Sequence, residues 1–568
     1  MPTDPPLALD DALLLTREGW VRRDSGAAVL LALAPRLPRA DVSRILAAAP
    51  SPLHALRALA ELGEAAVIAI GAEGTISLLT DVNRSFPLFW QARGAGWVAS
   101  DDVRVLAGDA SGAYEDDERS VRQFTAGGLV LGDATLYLGV HRTPPDATVQ
   151  LPAAGACSGA AGPVLSRHGD IALPEEGPVR TGAEAGAAFR DALLESVGTM
   201  VARDPGATYL LPLSGGADSR MLASAFVIAG ARDVRCFTYG VAQKAEVAVS
   251  RRVAGMLGLP WTFLATPPDQ VRSAWQERST ARFLADAYTG AALPHIQDWY
   301  AMRLLAADPE VPGDAVVVPG HTAVRTLKDA DLLEAASVSR DELIDAIILR
   351  HFSQAGAPGP LLDDSGTREQ ISASLDRVEY DGSPLSRARA LQAVNIDGRQ
   401  STYILNSVRG YESFGFRWAM PMLDAPLHRV TSSLHWELTR DRDWYRAMTD
   451  DVFASVVGEQ AEELSFWAPT EIPVHKRERM KDALRRVGLL RLAEHVASSR
   501  TNLRHPMAFE AFAPNRADYA RRIAQGSSPL GVFTRAFLAG RWNRWMDWRV
   551  PSTWSTPSVR VVSDPTGD

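Results

Sequence analysis

The sequence has little cysteine and no long hydrophobic run, and each shortage excludes a class of protein. Only two cysteines, Cys157 and Cys236, occur in 568 residues, and neither lies in a CxxC or Cys/His spacing, which excludes a disulfide framework. Apolar runs such as residues 27–35 and 65–72 end well before the roughly 18 residues needed to cross a membrane. Residues 1–20 carry acids and prolines in place of the basic segment of a signal peptide. We therefore expect a cytoplasmic protein without membrane contacts.

The charge balance excludes a second class. Lys and Arg number 59 against 68 Asp and Glu, which gives a net charge of -9. A nonspecific nucleic-acid binder would carry a basic domain or a Lys/Arg stripe, and neither is visible. Hydrophobic residues make up 46% of the chain and charged residues 22%, as in folded proteins. The composition therefore predicts a folded chain without a nucleic-acid partner.

The pattern of apolar residues changes along the chain. Up to about residue 165, short apolar or alternating runs are separated by Gly, Pro and Asp, which predicts strands and tight turns. From about residue 183, helical stretches alternate with short apolar runs, which predicts parallel βαβ units in a doubly wound sheet. Residues 334–500 are predicted to be mostly helical. The predicted class is α/β, with domains at residues 1–170 and 171–510 and a helical extension with its tail at residues 511–568.

One strand-to-helix turn carries most of the chemistry. An apolar run at residues 208–213 is followed by Ser214-Gly215-Gly216-Ala217-Asp218-Ser219 and then by a helical pattern. Adjacent glycines let backbone N–H groups approach a ligand, and the helix behind them directs its positive end at the same place. The loop is predicted to bind phosphates through these amides and two serine hydroxyls, with Asp218 as a ligand of Mg²⁺. The alternative is a glycine-rich turn capped by Asp218 or Ser219.

No GxxxxGK[ST] pattern occurs in this loop, which disfavours a kinase or GTPase of the Walker type. Instead, every fixed position matches SGGxDS, and the loop resembles the pyrophosphatase-type ATP loop of the asparagine synthetase superfamily. Members of that superfamily cleave ATP between the α and β phosphates and adenylate a carboxylate. The resemblance covers residues 185–500, including Thr238-Tyr239-Gly240 at the strand end that contacts adenine and Pro421-Met422-Leu423-Asp424 in a later signature. It implies a doubly wound adenylating domain whose nucleotide site contains Leu213, Ser214, Gly215, Gly216, Asp218, Ser219, Thr238, Tyr239, Gly240 and Gly320, with Asp218 at the metal.

The N-terminal region resembles a second domain of the same family. Residues 78–90, 97–106 and 127–140 are similar to the glutaminase domain in front of the ligase domain, which implies an Ntn-hydrolase-like αββα fold. That glutaminase uses a cysteine exposed once the initiator Met is removed, whereas Pro2 follows Met1 here. We therefore expect a degenerate domain that releases no nitrogen from glutamine. The resemblance then narrows to β-lactam synthetases, carbapenam synthetases and lasso-peptide cyclases, which join a carboxylate to an amine already on the substrate.

The second acid of the family's magnesium site is missing. The family supplies it from a loop after a later strand, where this chain has Val324 and Arg325 in place of two acids. Valine cannot bind a hard cation. Three alternatives stay open: Asp218 suffices with phosphate and water oxygens, Asp329 or Asp331 substitutes, or ATP is no longer turned over. Arg325 could instead neutralise phosphate.

Candidates for the base that deprotonates the attacking amine are a histidine and two tyrosine–glutamate pairs. His321 could serve as a general base or be a structural histidine. The pairs are Tyr411 with Glu412 and Tyr380 with Glu379, and ordinary acids on a helix surface are the alternative for both.

A basic run from Lys476 to Arg486 lies within the predicted helical region. Such a run is usually a solvated helix face. The resemblance, however, implies that a lysine near the end of the ligase domain, here Lys476 or Lys481, contacts the α phosphate and the leaving pyrophosphate.

The sequence thus predicts an AMP-forming, ATP- and Mg²⁺-dependent C–N ligase. Its expected partner is a small molecule or peptide that carries a carboxylate and an amine, as in natural-product lactam formation. A homodimer is a possible assembly. The alternative is a nucleotide-binding pseudoenzyme that acts as a partner protein. Val324 and Arg325 favour the alternative, whereas the intact SGGADS loop disfavours it.

Overall fold

The computed structural model describes residues 12–25, 28–94, 96–107, 115–153, 162–169, 177–241, 245–321, 330–356, 359–466 and 490–546. The strands of the N-terminal region are β1 (Leu13–Leu14), β2 (Val21–Ser25), β3 (Ala28–Leu33), β4 (Ala66–Ile70), β5 (Ile76–Thr80), β6 (Phe89–Arg93), β7 (Gly96–Ser100), β8 (Val140–Arg142), β9 (Ala147–Leu151) and β10 (Val164–Arg167). The later strands are β11 (Thr208–Pro212), β12 (Asp233–Gly240), β13 (Trp261–Ala265), β14 (Val316–Val317) and β15 (Arg417–Trp418).

The α-helices alternate with these strands and dominate the second half of the chain. They are α1 (Arg39–Ala48), α2 (Pro52–Ala60), α3 (Val103–Leu106), α4 (Glu118–Gly127), α5 (Gly182–Arg203), α6 (Ala217–Ile228), α7 (Ala245–Met256), α8 (Pro268–Trp275), α9 (Arg278–Asp286), α10 (Trp299–Ala306), α11 (Ala330–Glu334), α12 (Arg340–His351), α13 (Gly359–Leu362), α14 (Ser365–Arg377), α15 (Pro384–Asn395), α16 (Val408–Ser413), α17 (Ala425–Ser432), α18 (Asp443–Val457), α19 (Leu490–Leu503), α20 (Arg516–Ala524) and α21 (Pro529–Leu538). A π-helical segment spans Ile396–Ile404, and 3₁₀ segments span Leu405–Ser407, Pro421–Leu423, Trp436–Thr439, Gly458–Leu464 and Phe509–Phe512.

The N-terminal region contains two sheets, ordered β10-β9-β5-β4-β3-β2 and β1-β7-β6-β8. Side chains alternate between the faces of a strand, so Leu30 of β3 packs with α1 and α2, whereas Leu31 faces the other way. Leu31 shares a core with Trp90 and Ala99 of the four-stranded sheet, and that sheet buries Phe89 and other residues against helices. The layers are therefore helices, sheet, sheet and helices. Their assignment to a degenerate glutaminase stays a prediction, as do the domain boundaries.

The later strands form a five-stranded sheet in the order β13-β12-β11-β14-β15, and every pairing in it is parallel. The sequence prediction of parallel βαβ units from residue 183 onwards agrees with this mixed α/β structure. From the central strand β11 the chain moves first to β12 on one side and later to β14 on the other. The loops that leave β11 and β14 therefore diverge, which opens the crevice where doubly wound sheets bind ligands.

The sequence of helix α5, which supports this sheet, determines where the helix begins and which of its faces is buried. Thr181 and Glu184 form a reciprocal capping box at its start, so the first free N–H groups of the helix are satisfied. Phe189, Leu193 and Val197 recur every four residues and are fully buried, which fixes the face that packs on the core. Among the described residues, no helix has both the length and the apolar character needed to cross a bilayer.

Candidate active site

The SGGADS loop connects β11 to α6 at the crevice of the parallel sheet. The Ser219 hydroxyl accepts a hydrogen bond from the Ser214 backbone N–H at 3.0 Å and lies 3.0 Å from the Ser214 hydroxyl. The Gly216 N–H donates to the Ser214 hydroxyl at 3.2 Å. Two hydroxyls and the first turn of α6 are therefore brought together in one small volume, as the sequence predicts.

The glycines of the loop provide space rather than an unusual backbone. Neither Gly215 nor Gly216 has a positive φ, so other residues could adopt their conformation. A Cβ atom on Gly216 would lie 3.3 Å from the Ser214 hydroxyl, inside the loop. Gly320, which follows β14, would place a Cβ atom 3.2 Å from the Ser219 backbone nitrogen. Glycine at these positions keeps the start of α6 open to a ligand.

The start of α6 has no side-chain cap. Its N-cap residue is Gly216, and no side chain bonds to the first N–H groups there. Asp218 and Ser219 lie inside the first turn, so the alternative in which one of them caps the helix is wrong. Uncapped N–H groups and the helix dipole together favour an anion at this end.

Asp218 is paired with an arginine that the sequence analysis did not single out. Both terminal nitrogens of Arg442 contact the Asp218 carboxylate, and its guanidinium lies 4.6 Å from the centre of the Tyr445 ring. The Arg442 Nε atom is buried without a hydrogen-bond partner in the described structure. The site therefore already holds a positive group beside the loop.

The described residues do not form a complete Mg²⁺ site. Within the described ranges, no cluster of three or more His, Cys, Asp or Glu side chains is placed to hold a metal. Asp218 supplies one carboxylate, and Arg442 neutralises it. Val324, Arg325 and Asp329 lie outside the described residues, and so does the side chain of Asp331.

The end of β12 lies beside the loop. The Thr238 hydroxyl donates to the Leu213 carbonyl at 2.7 Å and accepts from Trp261 Nε1 at 3.0 Å, so it links strands. Tyr239 is partly buried, and that burial raises the pKa of its phenol. A Cβ atom on Gly240 would lie 3.2 Å from the Pro506 carbonyl, because the segment after α19 packs closely on this strand end. Thr238, Tyr239 and Gly240 thus form a wall of the crevice, but the Thr238 hydroxyl is already used.

A buried polar network lies near Tyr239. The Tyr411 hydroxyl donates to Asp298 Oδ2 at 2.7 Å, and His295 Nδ1 lies 3.5 Å from Asp298 Oδ1. Burial raises the pKa of Asp298, but the contacts with His295 and Tyr411 outweigh it and lower the pKa below its ordinary value. Burial and the Asp298 charge raise the pKa of Tyr411. The network therefore holds an ionised carboxylate next to a neutral phenol.

His321 joins this network to the loop. Its Nε2 lies 3.2 Å from the Ser407 hydroxyl, and Ser407 precedes the helix that carries Tyr411. Burial and the nearby His295 lower the pKa of His321 to about 4, against the opposing charges of Asp298 and Asp218. The imidazole is therefore neutral at pH 7, with one ring nitrogen free of a proton, and burial makes it a weaker base than a free imidazole.

Residues 188–305 match the asparagine synthase family model. The match contains β11 to β13, the SGGADS loop and the residues His295 and Asp298. It supports the asparagine synthetase superfamily for this region and, at that level, an ATP-dependent amide-forming C–N ligase. A search of curated proteins finds no match to the chain.

In neither of the two predicted tyrosine–glutamate pairs is the glutamate hydrogen-bonded to its tyrosine. Glu412 accepts from Arg17 at 2.9 Å, from Arg409 at 2.6 Å and from Trp418 Nε1 at 2.9 Å, so it points away from the Tyr411–Asp298 contact. Burial would raise the pKa of Glu412, but the two guanidinium groups lower it to about 2.

In the second pair, Tyr380 and Glu379 also make no hydrogen bond to each other. The Tyr380 hydroxyl donates to the Val338 carbonyl at 2.7 Å, and Glu379 occupies a turn with φ of 52°. Neither glutamate is hydrogen-bonded to its tyrosine neighbour, so neither pair is available as a base.

The later signature of the asparagine synthase resemblance ends in a structural carboxylate. Asp424 accepts from Arg36 at 2.8 and 3.2 Å and from the Ser196 hydroxyl, and Arg36 also contacts Glu64 at 3.3 Å. Burial raises the pKa of Asp424 to about 6. This residue therefore ties α5 and the N-terminal region together and does not line the loop.

Two predicted lysines and both cysteines contribute nothing to the described site. Lys476, Lys481 and Cys157 lie outside the described residues. Cys236 is buried in β12, and burial raises the pKa of its thiol to about 12, so it is not a nucleophile at neutral pH.

His295 and Asp298 are the members of the network that sequence reasoning missed. They lie in the stretch ALPHIQDWY, where polar residues interrupt an apolar segment. This interruption of an apolar segment by polar residues is the sequence signal that could have pointed to His295 and Asp298.

Proposed function

We propose that the protein is an ATP-dependent ligase that adenylates a substrate carboxylate, releases pyrophosphate and transfers the acyl group from AMP to an amine. The observation that carries this proposal is the uncapped start of α6 behind Gly215 and Gly216, at the crevice of a parallel sheet and inside the asparagine synthase match. Because this end of the helix is open and electropositive, it suits the phosphates of ATP.

The loop and Arg442 bind the pyrophosphate portion of ATP in this proposal. Loop N–H groups and the hydroxyls of Ser214 and Ser219 donate to phosphate oxygens. The guanidinium of Arg442, now on Asp218, exchanges that carboxylate for phosphate oxygens and supplies charge at the leaving group. Asp218 is the proposed ligand of Mg²⁺, but the described residues do not complete a metal site, so no step here depends on the metal. Lys476 and Lys481 stay candidates for the contact with the α phosphate.

His321 is the proposed acceptor of the amine proton. In the second step the amine nitrogen attacks the acyl carbon, the bond to AMP breaks, and the proton leaves the nitrogen for the neutral imidazole. The charges of Asp298 and Asp218 act on this ring and offset part of the burial that disfavours its protonated form. The Tyr411–Asp298 contact keeps the Asp298 carboxylate in place.

The substrate is proposed to be a small molecule or peptide that carries both the carboxylate and the amine, as in natural-product lactam formation. The ligase reaction is proposed to use no glutamine.

The second candidate is a nucleotide-binding pseudoenzyme. The contact between Arg442 and Asp218 favours it, because an ion-paired carboxylate is a poor metal ligand. ATP binding without turnover is the outcome that this candidate predicts.

The test separates the two half-reactions. With ATP, Mg²⁺ and a panel of amino-acid and peptide carboxylates, the wild type should exchange labelled pyrophosphate into ATP when the cognate carboxylate is present. His321→Gln should keep this exchange and lose amide formation, because the proton is removed only in the second step. ATP binding by calorimetry without exchange on any carboxylate would favour the pseudoenzyme, and loss of exchange in His321→Gln would remove the assigned role of His321.

A further inference from the structure

A small cavity lies between the N-terminal sheets and the π-helical segment, away from the SGGADS loop. Its volume is about 20 Å³, enough for one water-sized or halide-sized occupant. Its wall contains Arg84 and Ser85 from the turn after β5, Arg142 at the end of β8, and Ser401 and Thr402. Two of these residues are arginines, so the cavity is electropositive.

The arginines are deeply buried and lack acidic partners. Arg84 and Arg142 are each 2% exposed, and neither forms an ion pair within the described ranges. Arg409, also in the wall and 2% exposed, shares Glu412 with Arg17. Burying a charge without a counter-charge is costly. The cavity therefore has more positive charge than its own residues balance.

The nearest carboxylates are already engaged. Asp397 contacts Arg167 and Arg377, each at 3.1 Å, and Asp133 lies 3.4 Å from His141. Burial lowers the pKa of Arg84 to about 10 even with Asp397 nearby. Burial and the charge of Arg84 lower the pKa of Arg142. Burial is the main cause of both shifts, and repulsion from a neighbouring arginine adds to each.

One donor in the wall has no acceptor. Arg84 Nη1 is buried and makes no hydrogen bond in the described structure, whereas the buried Ser85 hydroxyl interacts with the Asp81 carboxylate. The other terminal nitrogen of Arg84 donates to Thr402 Oγ1 at 2.7 Å and to Ser401 Oγ at 3.3 Å, which holds the guanidinium in place. A buried donor of this kind is rarely left unsatisfied, so it indicates an acceptor in the cavity.

The backbone on both sides of the cavity is unusual. Arg84 has a positive φ of 55°, which is uncommon for a residue other than glycine. Ser401 and Thr402 lie in the π-helical segment Ile396–Ile404, a rare geometry that is frequent at functional sites. The strained turn and the wider helix together place the arginine and the two hydroxyls around one point.

We propose that this cavity is a binding site for a monovalent anion, either a halide ion or a carboxylate group, held by Arg84, Ser85 and Arg142. The anion supplies the missing counter-charge and the missing acceptor. A neighbouring cavity of about 960 Å³ shares Pro87, Thr289 and Arg409 with it, so a carboxylate on a larger ligand has a route in. This site is independent of the proposed ligase reaction.

The test uses the full-length protein and measures thermal unfolding at constant ionic strength, with sulfate as the reference anion because it is larger than the cavity. Replacing sulfate with 100 mM chloride or bromide, or separately with formate, should raise the midpoint by roughly 1–3 °C. Arg84→Met should abolish this dependence. Arg190→Met, which removes an exposed arginine paired with Asp191, should retain it. A crystal soaked in bromide should show an anomalous peak next to Arg84 Nη1.

The halide and formate measurements distinguish a free ion from a carboxylate group of a larger ligand. Stabilisation by halide supports a free ion, whereas stabilisation by formate alone supports a carboxylate group of a larger ligand. If Arg84→Met does not fold, Ser85→Ala is the second test. This substitution should reduce the anion-dependent rise of the unfolding midpoint several-fold. Equal midpoints in all anions for the wild type, together with no bromide peak, would overturn the proposal.

Discussion

The contact between Asp218 and Arg442 occupies the carboxylate that the sequence assigns to magnesium. A salt bridge with both members partly exposed is worth little to stability, so exchange of the carboxylate for a phosphate would cost little. The side chain of Arg442 also lies against Tyr445, which limits its reach to the start of α6. Arg442 is thus the residue that decides the electrostatics of the loop.

Arg442→Ala is expected to reduce the rate of pyrophosphate exchange about 10- to 100-fold, because one charged hydrogen-bonding group worth about 1.5–3 kcal/mol is lost at the leaving group. Arg442→Lys should restore part of the rate. Arg446→Ala serves as the control, since this exposed arginine of α18 pairs with Asp443 and lies outside the loop. An exchange rate that rises in Arg442→Ala would mean that the arginine only blocks the site.

Single residues of the site were predictable where function depends on local sequence. Ser214 to Ser219 are contiguous, and the strand-to-helix turn that uses them is set by residues within ten positions. The Tyr411–Asp298 contact joins residues 113 positions apart, so no spacing rule could find it. Tyr411 and Glu412 are neighbours in sequence, but adjacent residues on a helix face different directions, which is why their predicted pairing fails.

Among the elements, the parallel sheet followed from the sequence because buried parallel strands are continuous apolar runs. The apolar run at residues 208–213, predicted as a strand, corresponds to β11 within one residue at each end. The π-helical turn at Ile396–Ile404 was not predicted, since its hydrophobic pattern does not differ from that of the α-helix before it.

The segment after β15 depends on one buried arginine. Arg36 bridges Asp424 and Glu64, and all three side chains are almost fully buried. Arg36→Met should lower the free energy of unfolding by about 3–5 kcal/mol at pH 8, because two carboxylates remain buried without their counter-charge. Urea denaturation measures the change.

Arg429→Met provides the matched control for that substitution. Arg429 pairs with Glu61 on the surface, so its loss should cost less than about 1 kcal/mol. Similar losses for Arg36→Met and Arg429→Met would show that the buried triad does not hold this segment.

Across the whole molecule, two ion pairs and a hydrogen bond join the N-terminal region to residues 409–424, beyond the asparagine synthase match. Arg17 contacts Glu412 and Arg36 contacts Asp424, while Arg409 donates to the Ser85 carbonyl at 2.7 Å. The class of fold was predictable because periodicity reports secondary structure. These contacts between distant segments were not, because composition and spacing carry no information on which charged side chains meet.

Acid should destabilise the molecule through its buried histidines. Burial lowers the pKa of His351 to about 3, whereas an unfolded chain has the ordinary value near 6.5. Between these values the unfolded state binds one more proton, so stability is present above pH 6.5 and declines as the pH falls.

The unfolding free energy of the wild type should therefore fall, relative to His351→Gln, by up to about 1.4 kcal/mol per pH unit below pH 6. Urea denaturation at pH 7.5, 6.0 and 5.0 gives the two curves. Parallel curves over this range would show that His351 does not titrate as its burial predicts.

The nucleotide product formed by the wild type and two glycine variants tests the central claim, that the SGGADS loop binds ATP for adenylation. With the carboxylate that supports exchange, the wild type should form AMP and pyrophosphate in equal amounts. Gly216→Ala should lose most of this activity, because its methyl group enters the loop, whereas Gly198→Ala, at an open position of α5, should retain it. Formation of ADP and phosphate, or equal AMP formation in Gly216→Ala and the wild type, would contradict the account.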